Sequence, residues 1–195
     1  DTKRRTGFGG QPHAFPRIVP HSDGAGVIDQ VGAGVDTARL GARVWIYCGQ
    51  WQRPLGTAAA YIAIRADHAV ALPEGVDLIA GACLGIPAVT AHYALFADGP
   101  VTGRTVLVTG GAGAVGNYAI QLAKWGGAAK VIATVSSPEK AALAAKAGAD
   151  HVINYRETDV AAEVMAATEG DGVDRIVEVA FGVNLPTTVA VLKDN

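Results

Sequence analysis

A chain of 195 residues, half of them hydrophobic and 17% charged, carries ample apolar material for a globular core and is long enough for one or two domains. Its net charge of −2 leaves no electrostatic footprint for nucleic acid, no five-residue run is basic, and Lys3, Arg4 and Arg5 form only a small surface cluster. No apolar stretch approaches the ~20 residues of a membrane span, and the first residues are not a signal peptide.

Cys48 and Cys83, far apart in sequence, read as reduced intracellular thiols. With no CxxC and no HExxH, a zinc site would have to be gathered from His13, His21, His68, His92 and His151, so no metal is expected. The chain lacks an initiator Met, and its true N-terminus is expected upstream.

Residues Asp1 to Pro20 are punctuated by Gly7, Gly9, Gly10, Pro12, Pro16 and Pro20 and read as an irregular approach. Ala25 to Val31 is a short strand candidate closed by the turn Gly32-Ala33-Gly34. Arg43 to Tyr47 is another, Val44 and Ile46 alternating with Trp45 and Tyr47. Ala58 to Ile64 and His68 to Leu72 are two more extended segments, with Arg65 to Asp67 as the turn between them. Such strands describe a compact β domain. Leu78 to Leu84 and Val89 to Phe96 then read as two short helices separated by Gly85-Ile86-Pro87, and the domain boundary is placed near residue 90.

The run Thr105 to Thr109 is apolar, rich in β-branched residues and too short for a helix standing alone, which predicts a buried parallel strand. Gly111-x-Gly113-x-x-Gly116 follows and opens onto a helix, Asn117 to Trp125, with a second strand at Lys130 to Val135. Strand, glycine turn, helix and strand in that order are the context that a dinucleotide fingerprint requires. Gly111 is assigned to the tight turn, Gly113 to close approach of a pyrophosphate, and Gly116 to packing of helix on strand. With Ala114 and Val115 between them, these residues offer unpaired N–H groups and the positive end of a helix dipole to phosphates.

The end of the second strand selects the dinucleotide. An NAD-binding chain usually places Asp or Glu there for the ribose 2′-hydroxyl, whereas this one has Ser136. Ser136, Ser137, a helix start near Pro138 and Lys140 would attract a 2′-phosphate, so NADPH is favoured. The plainer alternative makes Ser136 or Ser137 a helix cap and Lys140 a solvated charge, and both can hold. Further on, His151 to Asn154 and Asp174 to Ala180 are strand candidates and Asp159 to Thr168 an amphipathic helix. The fold class is therefore α/β, a doubly wound parallel sheet preceded by a partial β domain.

Several segments in one order resemble the zinc-independent quinone oxidoreductases of the medium-chain dehydrogenase/reductase superfamily, the group that includes zeta-crystallin. They are HSDGAGVIDQVGAGV from His21, LGARVW from Leu40, GTAAAYIAI from Gly56, LGIPAVTAHYAL from Leu84, VLVTGGAGAVGNYAIQLAK from Val106, KAGADHVINYR from Lys146 and GVDRIVEVAFG from Gly172. The resemblance implies a GroES-like catalytic domain over residues 1–90, incomplete at its N-terminus, and a Rossmann NADPH-binding domain over 91–195, incomplete at its C-terminus. It implies that Ser136, Lys140 and Tyr155 surround the 2′-phosphate and that Thr90 lies near the nicotinamide end. In zinc-bearing relatives the segment GHEG supplies a catalytic ligand. Here Ser22 takes that ligand's place and the cysteine-rich lobe that holds their structural zinc has no counterpart, so metal-assisted alcohol oxidation loses support; Ala60 stands where many relatives carry Glu, so any role of that carboxylate in the cleft is absent.

The expected activity is NADPH-dependent transfer of hydride to a quinone. An enone or enoyl-thioester reductase on the same scaffold is the alternative, and a nucleotide-binding structural protein with little catalysis the rival from another class. No acid–base constellation is recognisable; Tyr47 and Trp51 are candidates to line the substrate side, or ordinary packing under a loop. A small-molecule quinone or conjugated carbonyl, no nucleic acid, no membrane, a homodimer and a cytoplasmic location complete the expectation.

Overall fold

The computed structural model describes residues 15–194, which form two compact units, the first ending at Ile86 and the second beginning at Pro87. In the first, β1 (Gly24–Val27), β2 (Arg43–Ile46) and β3 (Ala69–Ala71) make an antiparallel sheet in the order β1-β2-β3. Val44 and Ile46 are buried while Trp45 and Tyr47 are half-buried, the alternation a one-sided sheet demands. Helix α1 (Leu78–Ala82), capped by Asp77 through the Ala80 amide at 2.6 Å, packs on β1 and β2.

Two expectations fail here. Ala58 to Ile64 is not a strand: of these residues only Ala58 donates to the chain ahead of β1, at Pro20, following Gly56 and Thr57, which donate to Val19 and His21, and no ladder continues. An extended apolar run without a partner edge does not make a strand. Nor does Gly85-Ile86-Pro87 separate two helices, because α2 (Gly85–Phe96) runs through it. Pro87 sits in the first turn, where its missing N–H has no intrahelical acceptor to lose. The Ile86 amide is instead capped by Asp23 Oδ1 at 2.7 Å, and a Cβ at Gly85 would lie 2.1 Å from that oxygen.

The second unit contains β4 (Thr105–Val108), β5 (Lys130–Val135), β6 (His151–Asn154) and β7 (Arg175–Val177), all parallel in the order β6-β5-β4-β7. The helices are α3 (Ala114–Trp125), α4 (Pro138–Ala147), α5 (Val160–Ala167) and α6 (Phe181–Val191). Alternate strand residues divide the core. Val106, Val108, Val131, Ala133 and Val135 bury with Leu95, Ile120, Ala123 and Ala144, whereas Leu107, Ile132 and Ile153 bury with Val164 and Val191. Both faces are covered, which is why these strands read as unbroken apolar runs.

Helix α3 begins three residues earlier than its apolar spacing suggests, so Gly116 lies inside its first turn. Helix α6 was not legible in the sequence, since Pro186 stands within it. No helix among the described residues is long and apolar enough to cross a membrane.

Candidate cofactor site

The chain leaves β4 for β5 and β6 on one side, then returns to place β7 on the other, so the strand order reverses at β4. In open α/β sheets ligands bind outside the carboxyl ends of the strands at such a switch point. Thr109, Gly110, Glu178 and Val179 occupy that place, directly after β4 and β7.

The glycine turn is held from both flanks. On the β5 side the Gly110 amide donates to Thr134 Oγ1 at 3.2 Å and the Gly111 amide to the Thr134 carbonyl at 2.9 Å. On the β7 side Thr109 Oγ1 donates to Glu178 Oε1 at 3.0 Å and accepts from the Val179 amide at 3.0 Å.

The division of labour among the glycines differs from expectation in one respect. Gly110, with φ of 64°, makes the left-handed step that was assigned to Gly111. A Cβ at Gly111 would come 2.8 Å from Ala133 Cβ and 3.0 Å from Ile120 Cδ1, so this residue lets the turn lie on β5 and α3. A Cβ at Gly116 would fall 2.3 Å from the Gly110 carbonyl oxygen, where helix and turn touch backbone to backbone. Gly113 is exposed, and a Cβ there would meet only the Gly110 oxygen at 3.2 Å. Gly113 is also the N-cap of α3. It supplies no side chain, and no acidic residue lies in the first turn, so the amides of Ala114, Val115 and Gly116 begin a helix whose positive end no side chain neutralises.

Ser136 follows β5 and is buried, and Lys140 Nζ donates to its Oγ at 2.8 Å. Ser137 is the N-cap of α4, accepting from the Lys140 amide at 3.4 Å, with Pro138 in the first turn. The plainer reading thus accounts for Ser137, which is a cap, and for the exposure of Lys140, whose ammonium also reaches Ser136. Tyr155 arrives from the end of β6, its amide donating to the Val135 carbonyl at 3.1 Å, so its backbone adjoins the residue before Ser136. Its side chain is half-exposed. Sequence reasoning passed over Glu139, exposed in the first turn of α4. The Ser137 hydroxyl and its own backbone amide hold its carboxyl below the usual range.

Of the remaining candidates Thr90 lies on α2, and Tyr47, Trp51 and Ser22 belong to the first unit. Thr90 is exposed on α2 beside buried Ala91, and among the described residues no hydrogen bond joins it to the turn. Tyr47 stacks on His68 with ring centroids 4.7 Å apart, and Trp45 lies at 6.0 Å. Trp51 is 64% exposed in a turn whose Cys48 and Gln52 are left-handed at φ of 53° and 54°, sparsely populated conformations for non-glycine residues. Ser22 is buried. An open recess of about 380 Å³ lined by Lys130, Asp150, His151 and Glu163 lies at the amino ends of β5 and β6, the end opposite the glycine turn.

Residues 1–74 match the alcohol dehydrogenase GroES-like domain and residues 114–195 the zinc-binding dehydrogenase family. Rat quinone oxidoreductase is 34% identical over 194 residues, covering 98% of this chain and 57% of the relative. A 2-haloacrylate reductase of a Burkholderia species is 36% identical over 183 residues, or 89% of this chain and 52% of the relative. The crystal structure of Escherichia coli quinone oxidoreductase complexed with NADPH superposes with a TM-score of 0.79 at 29% identity, over 99% of this chain and 57% of that one. The chain thus spans a little over half the length of these relatives. Fold and turn together define a Rossmann-type α/β unit preceded in the chain by a GroES-like β unit. The chain belongs to the medium-chain dehydrogenase/reductase superfamily.

Proposed function

We propose that the chain is part of an NADPH-dependent, zinc-independent oxidoreductase that reduces a quinone, its first unit serving the substrate and its second the cofactor. One observation carries the choice of cofactor: β5 ends on Ser136 with the Lys140 ammonium 2.8 Å from its hydroxyl, where an NAD site would present a carboxylate. A carboxylate there repels a 2′-phosphate, and an anchored cation attracts it.

The residues present fit such a group. Gly113, Ala114, Val115 and Gly116 would hold the pyrophosphate by main-chain N–H groups at the uncapped start of α3, with Gly111 letting the turn lie flat on β5. Ser136, Lys140 and Tyr155 would hold the 2′-phosphate, and Thr90 would lie toward the nicotinamide end. When bound, NADPH supplies the hydride. The protein's part is to orient the reactants and exclude water. After hydride transfer a quinone needs one further proton, which solvent can supply, and this suits a chain with no recognisable acid–base constellation.

Tyr47 and Trp51 are proposed to line the substrate side, a reading favoured by the left-handed residues that hold the Trp51 turn. Ser22 offers a hydroxyl where a zinc site needs imidazole or thiolate, which favours metal-independent chemistry. A cytoplasmic homodimer belongs to the same proposal.

Similarity to a 2-haloacrylate reductase favours a second reading, reduction of a conjugated carbonyl on the same scaffold. Loss of NADPH absorbance, followed with a panel of ortho- and para-quinones and of enones, separates the two. Turnover of quinones supports the main reading, turnover of enones alone transfers it to the second, and tight NADPH binding without turnover indicates a structural role.

A further inference from the structure

We propose that Glu178 is a positioning residue that fixes the glycine turn for phosphate binding, an inference that rests on the nucleotide-binding reading above. Glu178 directly follows β7. Its Oε1 accepts from Thr109 Oγ1 at 3.0 Å, from the Ala180 amide at 2.5 Å and from Asn184 Nδ2 at 2.9 Å, and Oε2 accepts from the same Asn184 nitrogen at 3.2 Å. One carboxylate thus ties together the exit of β4, the exit of β7 and the first turn of α6. Thr109 closes the loop by accepting from the Val179 amide at 3.0 Å. Val179 in turn covers Gly110, whose added Cβ would lie 3.2 Å from Val179 Cγ2.

The chemistry explains why an acidic residue stands there. Three donors converge on a single oxygen, and an ionised acceptor holds such a set far better than a neutral one. The position explains what the set is for. Gly110 and Gly111 have no side chains with which to hold themselves; besides the Gly113 amide on the Gly110 carbonyl at 2.8 Å, the turn is tied to the sheet through its two flanks. Thr134 grips it from β5, and the Thr109–Glu178 pair adds to the Thr109 amide's bond to the Val177 carbonyl at 3.0 Å on the β7 side. Loss of the side-chain grip leaves the β7 flank held by that one backbone bond.

The test uses the full chain with Glu178→Ala, Glu178→Gln, Thr109→Val and the double variant Thr109→Val/Glu178→Ala. Hydrogen exchange of the Gly110, Gly111 and Gly113 amides is measured without nucleotide, and NADPH affinity by fluorescence titration. Glu178→Ala and Thr109→Val are each expected to speed exchange at those amides by roughly tenfold or more and to weaken NADPH by a similar factor. The Val131 and Ile132 amides should keep wild-type rates. Glu178→Gln retains one acceptor oxygen without the charge and should fall between Glu178→Ala and wild type in both effects. The double variant should fall clearly short of the sum of the two single effects, because both cut the shared Thr109–Glu178 link while each also removes a bond of its own.

Unchanged exchange at the turn in folded variants, acceleration spread evenly over the sheet, or additive effects in the double variant would overturn the assignment. Should Glu178→Ala fail to fold, Thr109→Val preserves the side chain's shape and decides alone. If the wild-type chain does not bind NADPH, the nucleotide reading falls, and the exchange rates still decide the role of Glu178.

Discussion

The Lys140 ammonium donates to the Ser136 hydroxyl at 2.8 Å, one helical turn along from it, at the start of the helix that Ser137 caps. The pair fixes a flexible cation over the end of β5, where the adenosine ribose of a dinucleotide is proposed to rest. Replacing Lys140 by Ala is expected to weaken NADPH roughly tenfold or more while NADH changes by no more than about twofold. Parallel titrations with both nucleotides check it, and equal weakening of the two would defeat the 2′-phosphate assignment. Glu139→Gln should act in the opposite sense. Its carboxyl, held ionised by the Ser137 hydroxyl and its own amide, stands in the same first turn, so its neutralisation should tighten NADPH by about twofold to fivefold.

The glycines of the turn separate into those that serve the fold and one that serves access. A methyl group at Gly116 would press on the Gly110 carbonyl, 2.3 Å away, so Gly116→Ala should lower stability by about 1–3 kcal/mol as well as abolish nucleotide binding. Gly113→Ala has ordinary φ and only a 3.2 Å neighbour, and should melt within a few degrees of wild type. It should nevertheless bind NADPH poorly, because the methyl group occupies the side from which phosphate must approach. Thermal melts and titrations on the two variants distinguish these outcomes.

Arg175, the first residue of β7, reaches the carbonyls that end α2. It donates to Leu95, to Gly99 at 3.1 Å and to Asp98 at 3.3 Å, placing a cation on the negative end of that helix. Arg175→Ala should destabilise the second unit by about 1.5–3 kcal/mol. Arg175→Lys should recover little, since one ammonium cannot serve the span of carbonyls that the guanidinium fork reaches. Urea unfolding of the two variants gives the comparison.

Acid should unfold the second unit through two aspartates at the starts of strands. Asp174 Oδ2 accepts from the Thr105 amide at 2.7 Å, with Lys193 at 3.3 Å from Oδ1, and Asp150 accepts from the Val131 amide and from Lys124. Burial opposes ionisation of both, but in Asp174 the Thr105 amide and Lys193, and in Asp150 Lys124 and the Val131 amide, together outweigh it and lower each carboxyl. A lowered folded-state value means that the stabilisation is complete above the unfolded value of about 3.9 and is lost as pH falls through the folded one. Asp174→Asn and Asp150→Asn should each flatten the decline in stability below about pH 4. Urea midpoints between neutral pH and pH 3 would show it.

Much of the second unit was legible because buried parallel strands and glycine stops are local signals. Lys130–Val135 and His151–Asn154 begin and end where their apolar runs do, and the Ser136–Lys140 pair follows from helical spacing. Features that depend on distant partners were not. The cap that lets α2 start at Gly85 comes from Asp23, 63 residues earlier than the amide it serves. Ala58 to Ile64 reads as an extended apolar run but has no edge to pair with. Pro186 disguised α6, and the fingerprint spacing drew attention to Gly111 when the left-handed residue is Gly110. Glu178 shows how such a residue can be sought: a polar side chain directly after an apolar strand run, on the strand that reverses the sheet order.

Thr134 engages two successive amides of the turn, one through its hydroxyl and one through its carbonyl, so the turn is tied to the sheet by bonds that belong to the fold itself. The conformational entropy of the loop is thus a cost met in folding the sheet. A preformed receptor of this kind discriminates by rigidity: a ligand whose phosphates do not match the fixed amides cannot recruit the loop to adapt.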